Sequence, residues 1–94
     1  MDYAKVIVER EGLSSLQESI GIGRRIMKRK LVAYQKKTER FEQTEGMNSE
    51  AFITLFNRGE LGDNKVWLEW DHTVGVVNLL KKKIDDIENL KYEY

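Results

Sequence analysis

The sequence predicts an all-α protein, a small helical bundle built on a long helical hairpin. Two stretches carry apolar residues at spacings of three and four, which places those residues on one face of a helix. Proline is absent from all 94 residues, so no position breaks a helix through a missing amide hydrogen. Glycines and capping residues separate the two stretches. We therefore expect long helices at about 14–45 and 64–90, joined by a short helix at 49–58.

The first long helix is predicted from a stripe on one helical face. The stripe consists of Ile20, Met27, Leu31, Tyr34, Thr38 and Phe41. Ser14 and Ser15 each precede a Gln or Glu by three residues, which is the pattern of a capping box at a helix start. Gly21 and Gly23 are expected to interrupt or kink the helix, and Gly46 is expected to end it.

The last helix is predicted from a second stripe. Ser49 is expected to cap the short helix before it, and Asp63 or Asn64 to cap the last helix itself. The stripe follows a spacing close to the heptad of side-by-side helices. It comprises Trp70, Val74, Val77, Leu80 or Lys81, Ile84, Ile87 and Leu90. Gly75 lies inside this helix, where the absence of a side chain would let another helix approach closely.

The first residues allow two interpretations. Residues 2–11 fit a helix that begins at Asp2 and stops at Gly12. The β-branched run Val6–Val8 also suits a short strand. This N-terminal segment is expected to pack across the hairpin in either form.

Length and composition indicate one domain over residues 1–94, because a chain this short builds a single core. There is no cysteine, which excludes disulfides, thiolate nucleophiles and cysteine-bound zinc. No apolar run resembles a signal peptide or approaches the roughly 20 residues of a membrane span. We therefore expect a cytoplasmic protein that does not bind membranes.

Charge is unevenly distributed although the formal net charge is zero. Residues 1–40 carry ten basic and five acidic side chains, whereas residues 41–80 carry two basic and seven acidic ones. One interpretation is that the basic half and the acidic middle pack together and neutralise each other. The other is that the basic surface meets an acidic partner.

A basic cluster between positions 24 and 40 is the main candidate for a functional surface. Eight of these seventeen residues are Lys or Arg, and Glu39 is the one acid among them. We selected six of them as a possible partner or nucleic-acid surface: Arg24, Arg25, Lys28, Arg29, Lys36 and Lys37. Such a stripe can neutralise phosphates along nucleic acid, contact an acidic protein, or form a solvated face.

Residues able to support catalysis are scarce. His72 is the single histidine, and with Glu69 it forms a Glu-x-x-His pair, which alone does not complete a di-iron site. The Asp85-Asp86 pair lies beside lysines on an amphipathic helix. Gly21-Ile22-Gly23 could hold a phosphate at a helix start, but no further glycine fingerprint follows. We therefore expect no enzyme activity, no cofactor and no bound metal.

The middle of the chain carries motifs found in a known group of proteins. Phe41-Glu42, Gly46-Met47 with Ser49 and Phe52, the stretch Gly59–Asp63, and Glu69-Trp70 occur in this order. The pattern resembles small helical proteins of archaea and bacteria, many without a known function and some labelled as antitoxins encoded beside a toxin. The tyrosine usual before the glycine of Gly-Met is Glu45 here. The resemblance implies a protein that binds, and inhibits, a protein partner.

A second resemblance is to the ribbon–helix–helix antitoxins. It would require a dimerising strand at Val6–Glu9 and helices at Leu16–Ile20 and Arg24–Tyr34. Together, the two stripes and the resemblances favour a helical protein–protein interaction module, antitoxin-like in character. We expect it to form a homodimer and to bind a protein encoded nearby. The alternative function is nucleic-acid binding through the basic helix at 24–40.

Overall fold

The computed structural model describes residues 2–92, which form three α-helices. These are α1 (Arg10–Glu45), α2 (Ser49–Asn57) and α3 (Lys65–Glu88). The predicted all-α hairpin is confirmed, and residues 2–92 contain no strand. Phe41, near the end of α1, stacks on Trp70, near the start of α3, and Lys28 pairs with Glu88 at the end of α3. The helices α1 and α3 are therefore antiparallel.

The predictions for the N-terminal segment are wrong. Residues 2–9 form neither a helix nor a strand, so Asp2 caps no helix and the strand of a ribbon–helix–helix fold does not form. The helix α1 begins at Arg10 and continues through Gly12. A side-chain methyl of Val8 lies 3.1 Å from where a Cβ of Gly12 would be. Glycine at this position therefore serves close packing of the preceding segment and does not end a helix.

The predicted start and interruption of the first long helix are also wrong. Ser14 and Ser15 lie in the second turn of α1, and Gly21 and Gly23 lie within an unbroken helix. A glycine in a helix interior costs about 1 kcal/mol relative to alanine, which weakens a helix without ending it. The end of the helix is as predicted. Gly46 has a φ of 69°, the left-handed conformation that favours glycine, and its amide donates to the carbonyl of Glu42.

Asparagine side chains begin the other two helices. Asn48 precedes α2, and its side-chain oxygen accepts from the amide of Ala51 at 2.8 Å. Ser49, predicted as this cap, is instead the first residue of α2. Asn64 caps α3, as predicted, by accepting from the amide of Val66 at 3.0 Å. The helix α3 ends at Glu88, two residues earlier than expected.

The core is built around Trp70, which has no exposed surface. Its ring stacks on Phe52 of α2, with centroids 4.0 Å apart, and on Phe41 of α1 at 5.6 Å. Its indole N–H donates to the hydroxyl oxygen of Ser49 at 3.1 Å. The amide of Ser49 in turn donates to the Glu42 carboxylate at 2.7 Å. One tryptophan therefore joins all three helices, by stacking and by a hydrogen-bond chain.

The rest of the core lies along α3 and is thin. The buried apolar residues of that helix are Trp70, Val77, Leu80 and Ile84. No residue of α1, in the range Arg10–Glu45, is fully buried. Its predicted stripe does face α3, but every member remains partly exposed. A two-helix hairpin covers each helix on one side, which is insufficient to bury α1.

The molecule is long and narrow, measuring 54 × 27 × 17 Å. Its radius of gyration is 18.3 Å, against about 12 Å for a compact chain of this length. The 36 residues of α1 span about 54 Å, whereas the 24 residues of α3 span about 36 Å. Because Glu88 ends α3 near Lys28, the first turns of α1 extend beyond α3. None of the described helices is both long and apolar enough to cross a membrane.

Replacing Trp70 should destabilise the fold strongly. We expect Trp70→Ala to lower the free energy of unfolding by about 3–5 kcal/mol, because it empties a buried stacking site. Trp70→Phe keeps an aromatic ring and loses the hydrogen bond to Ser49, so the loss should be smaller, about 1–2 kcal/mol. Urea unfolding followed by circular dichroism measures both.

Ile7→Ala is the control for this measurement, since Ile7 is 96% exposed and lies before α1. It should change the free energy of unfolding by less than about 0.5 kcal/mol. Equal effects of Ile7→Ala and Trp70→Ala would show that Trp70 does not hold the helices together.

Candidate interaction surface

The six residues selected from the basic cluster all lie on α1 and are exposed. Arg24, Arg25, Lys28 and Arg29 occupy one stretch of about one and a half turns, and Lys36 and Lys37 lie two turns further along. The Nζ of Lys37 lies 4.9 Å from the centre of the Tyr34 ring, which is itself partly buried. The one aromatic ring near the cluster is therefore partly covered.

No ion pair joins the basic half to the acidic middle in the part of the chain that the structure describes. Among residues 2–92, the ion pairs are Lys28–Glu88, Lys65–Glu69 and Lys82–Asp86. The antiparallel hairpin places the end of α3 beside Lys28, whereas Glu42, Glu50 and Asp71 line the groove at the other end of the hairpin. The interpretation that the two segments neutralise each other therefore has no direct contact between charges behind it.

Lys28 and Glu88 form the ion pair that links the end of α3 to α1. The ammonium nitrogen and the carboxylate oxygen are 2.9 Å apart, and both side chains are about half exposed. The hydrogen bond and the charge of Lys28 lower the pKa of Glu88, and Arg24 adds a smaller effect in the same direction. Lys28 and Arg24 therefore lie on the side of α1 that is near Glu88.

An open groove lies at the other end of the hairpin, where α1, α2 and α3 meet. We call it the acidic groove. Its charged lining includes Glu39, Glu42, Glu50 and Asp71, with Lys81 as the opposing charge. Ile53, Val74 and Leu79 contribute apolar surface. The groove therefore combines acidic and apolar side chains at the junction of the three helices.

The middle of α3 is apolar on nearly every side. From Thr73 to Leu80 the strongly polar side chain is Asn78, and the hydroxyl of Thr73 donates to the backbone of Glu69. A helix that is apolar all round is normally enclosed by other elements. Here α1 covers one side, while Leu68 and Leu79 remain 53% exposed on the other.

Gly75 lies between the two leucines on that outer side. No helix of this chain approaches it, because nothing lies within 4 Å of where its Cβ would be, and the expectation that another helix packs there stays a prediction. Spacings of seven and four residues place Leu68, Gly75 and Leu79 on one helical face. This face is therefore open and apolar.

The positions considered for chemistry have structural partners or lie apart. Glu69 pairs with Lys65, Asp86 with Lys82, and the Glu42 carboxylate accepts from the Ser49 amide. Lys82 and Asp86 are four residues apart, the spacing at which opposite charges meet on one helix face. Gly21-Ile22-Gly23 lies inside α1 and not before it, so the predicted phosphate position at a helix start does not exist. Within residues 2–92, no three acidic or histidine side chains come together as metal ligands.

Sequence reasoning missed the acidic groove and the open face of α3. The groove forms where residues of three different helices meet, so no local sequence motif predicts the groove. The open face did have a signal, since Thr73–Leu80 has no polar side to its helix. No known protein family, curated protein or solved structure matches this chain.

The pKa of Glu88 should depend on Lys28. In Lys28→Gln we expect the pKa to rise towards the usual range of a glutamate, about 4.3, because the hydrogen bond and the positive charge are lost. A lowered pKa stabilises the folded state above the usual pKa, and this contribution disappears as the pH falls through the folded-state value. The stability difference between the native protein and Lys28→Gln should therefore shrink below about pH 4.

NMR titration of the Glu88 carboxyl measures this pKa. Lys36→Gln, which removes an exposed positive charge two turns away, is the matched control and should leave Glu88 nearly unchanged. An unaltered Glu88 pKa in Lys28→Gln would contradict the ion pair.

Proposed function

We propose that this chain is a helical protein–protein interaction module that forms a homodimer. Its main support is the middle of α3, from Thr73 to Leu80, which is apolar on nearly every side and covered by α1 on one side. Exposed apolar helix faces of this kind normally mark interaction sites, because water contact with them is unfavourable.

The surface area supports the same proposal. The chain exposes 7709 Å², whereas a compact monomer of 11.1 kDa exposes about 5,700 Å². The excess is about 2,000 Å² per chain, comparable to the area that obligate homodimers bury. An additional helix pair packed on the hairpin would give α1 and α3 the second neighbour they lack, as in a four-helix bundle.

The homodimer predicts twice the chain mass in solution. Light scattering at micromolar concentration should give about twice 11.1 kDa, and sedimentation velocity then gives the dissociation constant. Leu79→Glu places a charge on the open face of α3 and should weaken the dimer by at least tenfold, roughly 1.4 kcal/mol or more. A monomeric native protein at 100 μM, on the order of the concentrations used in NMR, would rule out this part of the proposal.

A different protein partner is the second form of the proposal. The resemblance to antitoxin-labelled proteins makes a product encoded nearby the natural choice. Co-expression should yield a stable complex and relieve any growth inhibition that the neighbour causes alone. A complex that persists with Leu79→Glu would place the hetero-partner on another surface.

Nucleic-acid binding is the second candidate function, and one observation favours it. Of the six selected cations, only Lys28 has an acidic partner within residues 2–92. This function predicts binding to DNA or RNA that weakens steeply with salt. The loss should be large when Arg24, Arg25, Lys28 and Arg29 all become Glu. Gel-shift titrations near physiological salt test nucleic-acid binding. The absence of any shift would contradict this function and leave the protein–protein interaction module as the remaining proposal.

A further inference from the structure

We propose that the face of the hairpin bearing the acidic groove is self-complementary, and that a second copy of this chain docks on it in antiparallel orientation. This inference rests on the proposed homodimer and adds to it the surface and the orientation. It is carried by the placement of charges along α1 and by the side of the hairpin on which they lie.

One side of α1 carries both signs of charge. Arg24, Lys28, Gln35, Glu39 and Glu42 follow spacings of four, seven, four and three, so they share a helical face. The last three line the acidic groove, and Lys28 reaches Glu88 from the same side. The face therefore carries Arg24 and Lys28 towards the start of α1, where Glu88 pairs with Lys28, and is acidic towards its end.

The other helices extend the acidic end of this face. Glu50 of α2 and Asp71 of α3 line the groove beside Glu39 and Glu42. Val32 of α1, between Lys28 and Gln35 in the sequence, is 51% exposed, and Val74 and Leu79 of α3 are among the apolar residues that line the groove. An apolar centre with charged ends is the usual arrangement of a protein interface.

A surface that is basic at one end and acidic at the other complements a copy of itself rotated by 180°. Rotation about an axis through the centre brings Arg24 and Lys28 of one copy to the acidic groove of the other, and the reverse contact follows by symmetry. A parallel arrangement would place like charges together, which is unfavourable. The second copy is therefore favoured over an unrelated occupant, and only the antiparallel orientation satisfies both ends.

The charges also define where the two-fold axis lies. Ala33 is the midpoint between Arg24 and Glu42, and the midpoint between Lys28 and Glu39 falls half a residue further on. Val32, one residue away, lies on the same face as these charges because it is four residues from Lys28. The axis thus passes close to Val32, an exposed apolar side chain.

Two charge-reversal variants test the inference. One carries Arg24→Glu and Lys28→Glu, and the other carries Glu39→Lys and Asp71→Lys. Alone, each variant would place like charges at both ends of its homodimer, so we expect its dissociation constant to rise at least about tenfold. Mixed in equal amounts, they should form a 1:1 heterodimer of near-native affinity, because each reversed end meets its opposite. Native mass spectrometry and sedimentation velocity measure these species.

Lys30→Glu with Lys37→Glu is the matched control. It makes the same change in net charge on exposed residues of α1 that line neither the groove nor the helical face of Val32. This control should dimerise as the native protein does, and circular dichroism should show every variant to be helical.

The outcomes separate this inference from the proposed function. If Arg24→Glu with Lys28→Glu dimerises as tightly as the control, or if the mixture forms no heterodimer, the groove face is not the interface, although the homodimer stands. If the native protein is itself monomeric, both the homodimer and this inference are overturned. Weakened homodimers and a restored heterodimer would support the antiparallel arrangement.

Discussion

The structure depends on the stacking of Trp70 between Phe41 and Phe52, because this is the one point at which all three helices meet. The stack excludes water from the end of the hairpin. The hydrogen bond to Ser49, and from Ser49 to Glu42, fixes how α2 lies against the other helices. Without these hydrogen bonds, little would hold α2 against the other helices, since α2 contributes one buried side chain, Phe52. The acidic groove exists because this contact holds α2 in place.

Away from that end, the hairpin has a geometric limitation. Two helices can bury one side of each other, and the sequence places apolar residues on more than one side of α3. The projecting start of α1 has no neighbour from α3 at all. These features share one physical cause. The chain is too short to form enough helices to enclose the apolar surface that it carries. Association with another polypeptide is the ordinary way in which small helical proteins resolve it.

In the proposed homodimer, the placement of charge along the hairpin would give the association a direction. Arg24, Arg25, Lys28 and Arg29 lie in one stretch of α1, whereas the acids that line the groove lie at the other end of the hairpin. Glu88 is the acid that pairs with this basic stretch, through Lys28. In that dimer the apolar faces would provide most of the free energy of association, whereas the charges would select orientation and partner. Exposed charges alone would contribute little.

The sequence by itself determined the helical class, the hairpin, the ends at Gly46 and Asn64, and the face of α1 that meets α3. These follow from local periodicity and capping chemistry, which need no knowledge of distant residues. Only the structure decided that α1 starts at Arg10 and runs through Gly12, since a glycine inside a helix costs about 1 kcal/mol and does not by itself end it. It also decided the acidic groove, the hydrogen bond of Ser49 and the separation of charges. Each of these depends on which distant residues come together, and burial and the direction of α3 decide that.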